Sequence, residues 1–129
     1  MLKCIIGFRR TSKTDISMII LKKPISKEEL AELAENYYGD MIKGVVDVDR
    51  KKLAIDAELH SDLEGLLLKD GSAQEHLWGI NLYPEMDEGD FLEFDSLINI
   101  RPRQNNRSRY VEDSATRDVI KEIVNSFIL

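Results

Sequence analysis

The sequence predicts a single α+β domain, and three observations support this prediction. The chain has 129 residues, which suffices for one hydrophobic core. Runs of alternating apolar and polar residues, typical of half-buried strands, occur in two consecutive pairs. Two further stretches have apolar residues at helical spacing behind polar caps. We therefore expect a mainly antiparallel sheet of two hairpins plus an N-terminal strand, with two longer helices packed on one face and one short helix.

The beginning of this domain predicts one strand followed by one helix. Residues 17–22 form a short apolar, β-branched run that a proline ends. Ser26 and Glu29 then have the spacing of a capping box, in which each side chain caps the backbone N–H of the other residue. Gly39 suits the end of a helix. We expect this helix to span residues 27–38.

The first hairpin is predicted from two alternating runs, 42–49 and 53–59, which are joined by a short polar turn. A two-residue loop at Arg50-Lys51 would place Val48 opposite Leu53. Because side chains alternate between the faces of a strand, one face is apolar and the other polar. The face expected in the core carries Ile42, Val46, Val48, Leu53, Ile55 and Leu59. The opposite face carries Lys43, Val45, Asp47, Asp56, Glu58 and His60.

The second hairpin is predicted to pair residues 76–83 with residues 91–100. The apolar pattern favours a register in which Asn81 faces Glu93. In that register Trp78 alternates in phase with core residues, and it is expected to be buried.

Two more helices complete the predicted fold. A short helix over residues 62–69, capped by Ser61, separates the hairpins. A longer helix, capped by Asp113 or Ser114, follows the second hairpin and continues to about Phe127.

The N-terminal residues 1–17 are expected to lie outside the domain, which spans residues 18–129. Met18 begins a self-sufficient element, so the preceding residues would be an extension from an upstream start codon. The alternative is an additional edge strand at residues 2–8.

Composition excludes several functional classes. The formal net charge of −6 argues against general DNA or RNA binding, which usually requires a basic protein. No apolar run approaches the ~20 residues that a membrane span requires. Cys4 is the only cysteine, so no intrachain disulfide can form, which fits a cytoplasmic location. A homo-oligomer is compatible with the sequence.

The polar strand faces contain residue types that acid–base or metal chemistry uses. Glu58 and His60 lie on the first hairpin, and Glu93 and Asp95 lie on the second. Neighbouring hairpins would bring these four residues together as a catalytic group. Imidazole and carboxylate also suit a divalent metal such as zinc, manganese or iron, so a divalent metal cofactor is one option. The alternative is a solvated sheet face with structural cross-strand charge pairs.

An arginine-rich loop follows this face. Four of the eight arginines lie within residues 101–109, and this stretch contains no acid. Arginine binds carboxylate and phosphate through paired N–H donors, so the loop is a candidate anion site. The alternative is that the arginines bind nearby acids and hold the loop in place. The expected ligand-binding residues are Asn81, Asn99, Arg101, Arg107 and Arg109.

Long stretches of the chain resemble a family of small prokaryotic proteins that is classed as a domain of unknown function. The resemblance begins near Met18, runs to the C-terminus, and rests on the segments ISKEEL, GDMIKGVVDV, AELHSD, DGSAQEHLWGINLYP and EFDSLINIRPRQNNRSRYVED. It implies a compact α+β domain with no assigned activity and no catalytic residues to carry over.

The sequence therefore favours a small cytoplasmic protein that binds an anionic ligand, phosphorylated or carboxylate. The ligand would lie at the arginine loop beside the His/carboxylate face, and hydrolysis is one activity that such a site could support. The alternative is a non-catalytic protein-interaction module in which the carboxylates are structural. The sequence does not decide whether the protein is an enzyme.

Overall fold

The computed structural model describes residues 18–129, so the expected N-terminal extension, or edge strand, lies outside the described residues. Within residues 18–129 the chain forms five strands and three α-helices. In chain order they are β1 (Ile19–Ile20), α1 (Lys27–Ala34), β2 (Ile42–Asp47), β3 (Lys52–Ile55), α2 (His60–Lys69), β4 (Leu77–Leu82), β5 (Leu92–Glu93) and α3 (Ser114–Phe127). None of these helices is both long and apolar enough to cross a membrane.

The five strands form one sheet in the order β1-β3-β2-β4-β5, and every neighbouring pair is antiparallel. The predicted α+β class with two hairpins and an N-terminal strand is therefore confirmed. The longest pairing joins the two hairpins: β2 and β4 run side by side from Ile42 opposite Leu82 to Asp47 opposite Leu77. This pairing places the polar residues of the two hairpins on one surface.

The predicted register of the first hairpin is wrong by two residues, whereas that of the second is confirmed. Val46, not Val48, lies opposite Leu53, because residues 48–51 all belong to the turn. A shift of two residues leaves every side chain of the paired residues on its predicted face. In the second hairpin Asn81 lies opposite Glu93, as expected.

The second strand of the first hairpin ends earlier than predicted. Asp56 has a φ of 79°, which lies outside the range of an extended strand, and it follows the last residue of β3. Leu59 was expected in the core, but it is 50% exposed. Helix α2 then begins at His60 rather than after Ser61, and no side chain caps it.

Helix α1 begins with the predicted capping box and ends earlier than residue 38. The Glu29 N–H donates to Ser26 Oγ at 3.0 Å, and the Ser26 N–H donates to Glu29 Oε1 at 3.0 Å. The helix ends at Ala34, and Gly39 adopts a φ of 92° at the end of the following turns. Helix α1 is thus shorter than α2, although α2 was predicted to be the short helix.

The main hydrophobic core lies between the sheet and helices α1 and α3. Strand residues of this core include Ile42, Val46, Leu53, Ile55, Trp78, Ile80 and Leu82. Helix α3 is capped by Asp113, as predicted, and contributes Ile120, Ile123 and Val124. The first and last helices therefore pack on one face of the sheet.

The opposite face of the sheet is also partly covered, which the alternative of a solvated sheet face did not include. Leu63 and Leu67 of α2 pack on Val45, Ala54 and Leu77 in a second apolar cluster. The sequence signal for this arrangement is the apolar content of β4, in which all six residues are buried. Only the part of this face that lies beyond α2 remains open to ligands.

The predicted long strand over residues 91–100 is interrupted. Pairing ends after Glu93, and Leu97–Asn99 forms one turn of 3₁₀ helix. Asn99 replaces the missing strand by bonding its side chain to Gly79: the Gly79 N–H donates to Asn99 Oδ1 at 2.8 Å, and Asn99 Nδ2 donates to the Gly79 carbonyl at 3.1 Å. Ser96 packs against Gly79 so closely that a Cβ on this glycine would lie 2.5 Å from Ser96 Cβ.

This close packing predicts that Gly79→Ala destabilises the protein by about 1–3 kcal/mol, because the segment must move away from β4. Gly65→Ala is the matched control, since Gly65 lies within α2 and its added Cβ would meet no atom within 4 Å. The control is expected to be neutral or to stabilise the protein by up to about 1 kcal/mol. Urea unfolding measures both changes. Equal stabilities of the two variants would contradict the packing described here.

Candidate functional site

The open part of the sheet face beyond α2 forms a groove of about 440 Å³, which we call the polar groove. Its lining residues come from the turn after α1, from β2, β4 and β5, from the start of α2 and from the segment after β5. They are Tyr38, Met41, Lys43, Leu59, His60, Ser61, Asn81, Tyr83, Glu93, Asp95, Ser96, Leu97, Ile98 and Arg109.

The centre of the groove is a row of side chains across three neighbouring strands. Lys43 of β2 lies opposite Asn81 of β4, and Asn81 lies opposite Glu93 of β5. Alternation places these residues on the face away from the main core, because Ile42 and Leu82 point into that core. The register alone therefore brings a cation, an amide and a carboxylate together.

His60 lies at the edge of this row and is only 8% exposed. Its Nε2 is 2.8 Å from the Ile80 carbonyl oxygen, which can only accept, so Nε2 carries the proton. Cδ2 faces the same strand, at 3.2 Å from the position of a Cβ on Gly79. Nδ1 lies across the ring from both atoms and therefore points away from β4. Burial lowers the pKa of His60 below 6.5, and Lys43 lowers it further, against opposing contributions from Ile80 and Asn81.

The two acids of the groove bind different partners. Glu93 Oε1 accepts from Asn81 Nδ2 at 2.8 Å and from the Tyr83 hydroxyl at 2.9 Å. Asp95 Oδ1 accepts from Arg109 Nε at 2.6 Å. Burial, followed by the hydrogen bond to Glu93 and by the Glu93 charge, raises the pKa of Tyr83 to about 12. Neither acid bonds to His60, so three of the four expected catalytic residues, His60, Glu93 and Asp95, share the groove without hydrogen bonds between the acids and the histidine.

Two polar groups of the groove are without hydrogen-bond or acidic partners within residues 18–129. Asn81 is 6% exposed, and its Oδ1 accepts no hydrogen bond. The orientation of this amide is fixed, because Nδ2 donates to the Glu93 carboxylate. Lys43 forms no ion pair with an acid of residues 18–129; its Nζ lies over the Tyr38 ring, 5.4 Å from the centroid.

The expected ligand-binding arginines separate in the structure. Arg101 stacks on the Trp78 ring, 4.1 Å from its centroid, and donates to the carbonyls of Gln74 and Leu77. Burial lowers the pKa of Arg101, and its guanidinium lies outside the polar groove. Arg107 is exposed and also lies outside the groove. Of the three expected arginines, Arg109 alone lines it.

The loop of residues 101–109 is held by amide side chains more than by arginines. Buried Asn106 donates through Nδ2 to the carbonyls of Asn99 and Tyr110, at 2.8 and 2.7 Å. It also accepts from the Glu112 N–H at 2.8 Å. The sequence analysis missed Asn106, although an asparagine in an irregular segment is the residue type best suited to bond backbone groups.

Asn99, which was expected to bind ligand, is fully buried and bonded to backbone. Besides Gly79, its Nδ2 donates to the Arg109 carbonyl at 2.9 Å. No part of this side chain lines the groove. Its contribution is to hold the segment that carries Asp95 and Arg109.

Glu58 does not join the other expected catalytic residues. It is exposed and lies outside the groove, and its carbonyl accepts from the Tyr38 hydroxyl at 3.2 Å. The alternation that would have aligned it with His60 ends with β3 at Ile55, before Asp56 adopts its positive φ. Among residues 18–129, no three His, Cys, Asp or Glu side chains are placed to hold a metal ion together.

The residues that the sequence analysis did not assign to a site are Lys43, Tyr83 and the apolar rim of the groove. The cross-strand register of the central strands would have identified Lys43, because it is the β2 neighbour of Asn81. The exposed rim residue Leu97 was assigned to a strand, and no pattern in the sequence indicated the 3₁₀ turn that exposes it.

Asn99 provides a test of its structural role. Asn99→Ala leaves the Gly79 N–H and two carbonyls without their partners, so we expect a loss of at least about 2 kcal/mol of stability. Asn125→Ala, on the exposed side of α3, is the control and should change stability by less than about 0.5 kcal/mol. Chemical unfolding gives both values. A stable Asn99→Ala protein would show that the segment is held by other contacts.

His60 predicts a specific dependence of stability on pH. Because burial lowers its pKa below the ordinary 6.5, the unfolded chain binds the proton more readily than the folded chain. Above pH 6.5 His60 is neutral in both states, and its contribution to the free energy of unfolding is fully present. As the pH falls from 6.5 through the folded-state pKa, the unfolded state takes up the proton first, and this contribution is lost. His60→Gln keeps an N–H donor for Ile80 but does not titrate, so it should remove this part of the acid destabilisation. Identical pH profiles of wild type and variant, from urea unfolding, would contradict the assignment.

Comparison with known proteins identifies one family. The family described as "Protein of unknown function (DUF5674)" matches residues 19–127. No curated protein matches the chain, and no solved structure matches it.

Proposed function

We propose that this chain, which belongs to the DUF5674 family of proteins of unknown function, binds a small ligand through an anionic group in the polar groove. The observation that carries the proposal is the pair of cations on the groove, Lys43 and Arg109. Both have donor groups that no other side chain within residues 18–129 uses.

The donor capacity of these cations supports anion binding. Lys43 contacts only the face of an aromatic ring, so its three N–H donors remain available. Arg109 bonds to Asp95 through Nε, which leaves its two terminal amino groups for a carboxylate or a phosphate. Desolvation by a ligand would strengthen both interactions.

The rim of the groove suits an apolar part of the same ligand. Leu97 is 67% exposed and Leu59 is 50% exposed, and both line the groove. The groove volume lies near the lower end of the ~300–1,000 Å³ typical of small-molecule sites. A small ligand with one anionic group and an apolar body would therefore contact both the cations and the apolar rim of the groove.

The proposal differs from the sequence expectation in its anchors. Lys43 replaces Arg101 and Arg107, because Arg101 bonds to backbone carbonyls and Arg107 lies outside the groove. It is also limited to binding: Glu93 and Asp95 are bonded to other side chains and not to His60. A second candidate, the protein-interaction module, is favoured by the exposure of Leu97 alone.

The test is an NMR titration of the ¹⁵N-labelled protein with inorganic phosphate and with 4-methylpentanoate. Amides of Lys43, Asn81 and Glu93 should shift, and Lys43→Met should weaken binding about tenfold or more, since a charge-assisted contact is lost. Arg109→Gln should have the same direction of effect.

The matched controls are Lys69→Met and Arg103→Gln, which remove exposed cations outside the groove. Both should bind like wild type. If neither anion shifts groove amides, or if the controls weaken binding as much as Lys43→Met does, anion binding in the groove is refuted. Shifts with an apolar peptide whose two termini are blocked, without shifts from either anion, would favour the interaction module.

A further inference from the structure

The polar groove carries free acceptors as well as cations. Glu93 uses Oε1 for both of its hydrogen bonds, and Asp95 uses Oδ1 for its bond to Arg109. Within residues 18–129 the second oxygen of each carboxylate accepts no hydrogen bond. Both side chains line the groove, so these two oxygens are available to a ligand.

A third acceptor, the side-chain oxygen of Asn81, also favours a ligand that donates hydrogen bonds. Asn81 lines the groove and is more than nine-tenths buried, yet its Oδ1 accepts no hydrogen bond from any group of residues 18–129. A buried acceptor without a donor is unfavourable, so a ligand that brings an N–H group to this part of the groove would relieve the deficit. The Nδ1 of neutral His60 adds a lone pair nearby.

We propose that the groove recognises a zwitterion, in which an ammonium group binds at Glu93, Asp95 and Asn81 while an anionic group binds at Lys43. This inference rests on the proposed function and narrows it: the anionic group binds at Lys43, because Arg109 is bonded to Asp95 and therefore lies at the ammonium end of the groove. An ammonium group fits the site because it offers three donors and the site presents three acceptors; of the two carboxylates, Asp95 is paired with Arg109 and Glu93 is bonded to neutral groups.

The strand positions indicate the length of the ligand. Lys43 and Glu93 lie on strands that are two apart, with β4 between them. Two strand spacings amount to about 10 Å. An extended peptide advances ~3.3–3.6 Å per residue, so a peptide of two or three residues would join the two ends. The exposed Leu59 and Leu97 would cover apolar side chains of that peptide. The ligand class is therefore a short apolar peptide with both termini free.

The probe is the tripeptide Ala-Leu-Ala, compared with its N-acetyl form, its C-terminal amide and free leucine. Binding to the full chain is followed by NMR titration. The free tripeptide should bind about tenfold or more tightly than the N-acetyl form, which lacks the ammonium group. Free leucine should bind more weakly than the tripeptide because it cannot span the groove.

Glu93→Gln is the decisive variant, because glutamine keeps an acceptor for Asn81 and Tyr83 but removes the charge. It should reduce the preference for the free over the N-acetylated tripeptide, whereas Lys43→Met should reduce the preference for the free over the amidated tripeptide. Asp95→Asn is the second variant, and unfolding curves verify that all variants fold.

The outcomes separate this inference from the proposed function. If the N-acetylated tripeptide binds as tightly as the free one while Lys43→Met still weakens binding, ammonium recognition is overturned and anion binding stands. If leucine binds as tightly as the tripeptide, the peptide assignment is overturned. If neither the peptides nor simple anions bind, both proposals fail.

Discussion

The pairing between the Asn99 side chain and the backbone of Gly79 determines much of the rest of the structure. The Asn99 side chain takes the place of a neighbouring strand at Gly79. The N–H and carbonyl of Gly79 are therefore hydrogen-bonded although β5 has only two residues. Because the chain is no longer bound as a strand, it can turn over the sheet, and Asn99 also bonds to the Arg109 carbonyl. Arg109 and Asp95 thereby come together at the edge of the groove. The lack of a side chain on Gly79 is a condition for this approach, since Ser96 occupies that space.

The groove exists because the second face of the sheet is only partly covered. Helix α2 packs its leucines over the β3 side of this face, and the segment after β5 covers the opposite side. His60, at the first turn of α2, bonds to β4 between these two covers. The remaining opening lies over the row of Lys43, Asn81 and Glu93. The polar character of the site therefore follows from strand alternation, and its boundaries follow from packing.

Sequence reasoning predicted the elements and faces of this fold better than its irregular parts. Two local signals were identified correctly: the Ser26–Glu29 capping box and Asp113, one of the two candidate caps of α3. A third, the Ser61 cap of α2, was wrong. The apolar pattern also fixed the second hairpin register. The interruption after Glu93 could not be predicted, because it depends on the bonds between Asn99 and Gly79, which are distant in sequence. The turn after β2 was missed although Asp47 Oδ1 accepts locally from the N–H groups of Asp49 and Arg50. For the site, Asn81, Glu93, His60, Asp95 and Arg109 were identified as residues that share one surface, but their partners were not.

The arginine-rich loop illustrates why composition alone assigns sites poorly. In an irregular segment, backbone carbonyls lack the partners that a helix or sheet would supply. Arginine can reach such carbonyls because its side chain is long, and asparagine can bond those close to its own backbone. Arg101 serves the carbonyls of Gln74 and Leu77 in this way, and Asn106 serves those of the loop itself. A cluster of donors in such a loop is therefore first explained by the backbone that it must satisfy. A cation becomes a candidate for ligand binding only when its donors exceed that need, which is the case for Lys43 and for the terminal amino groups of Arg109.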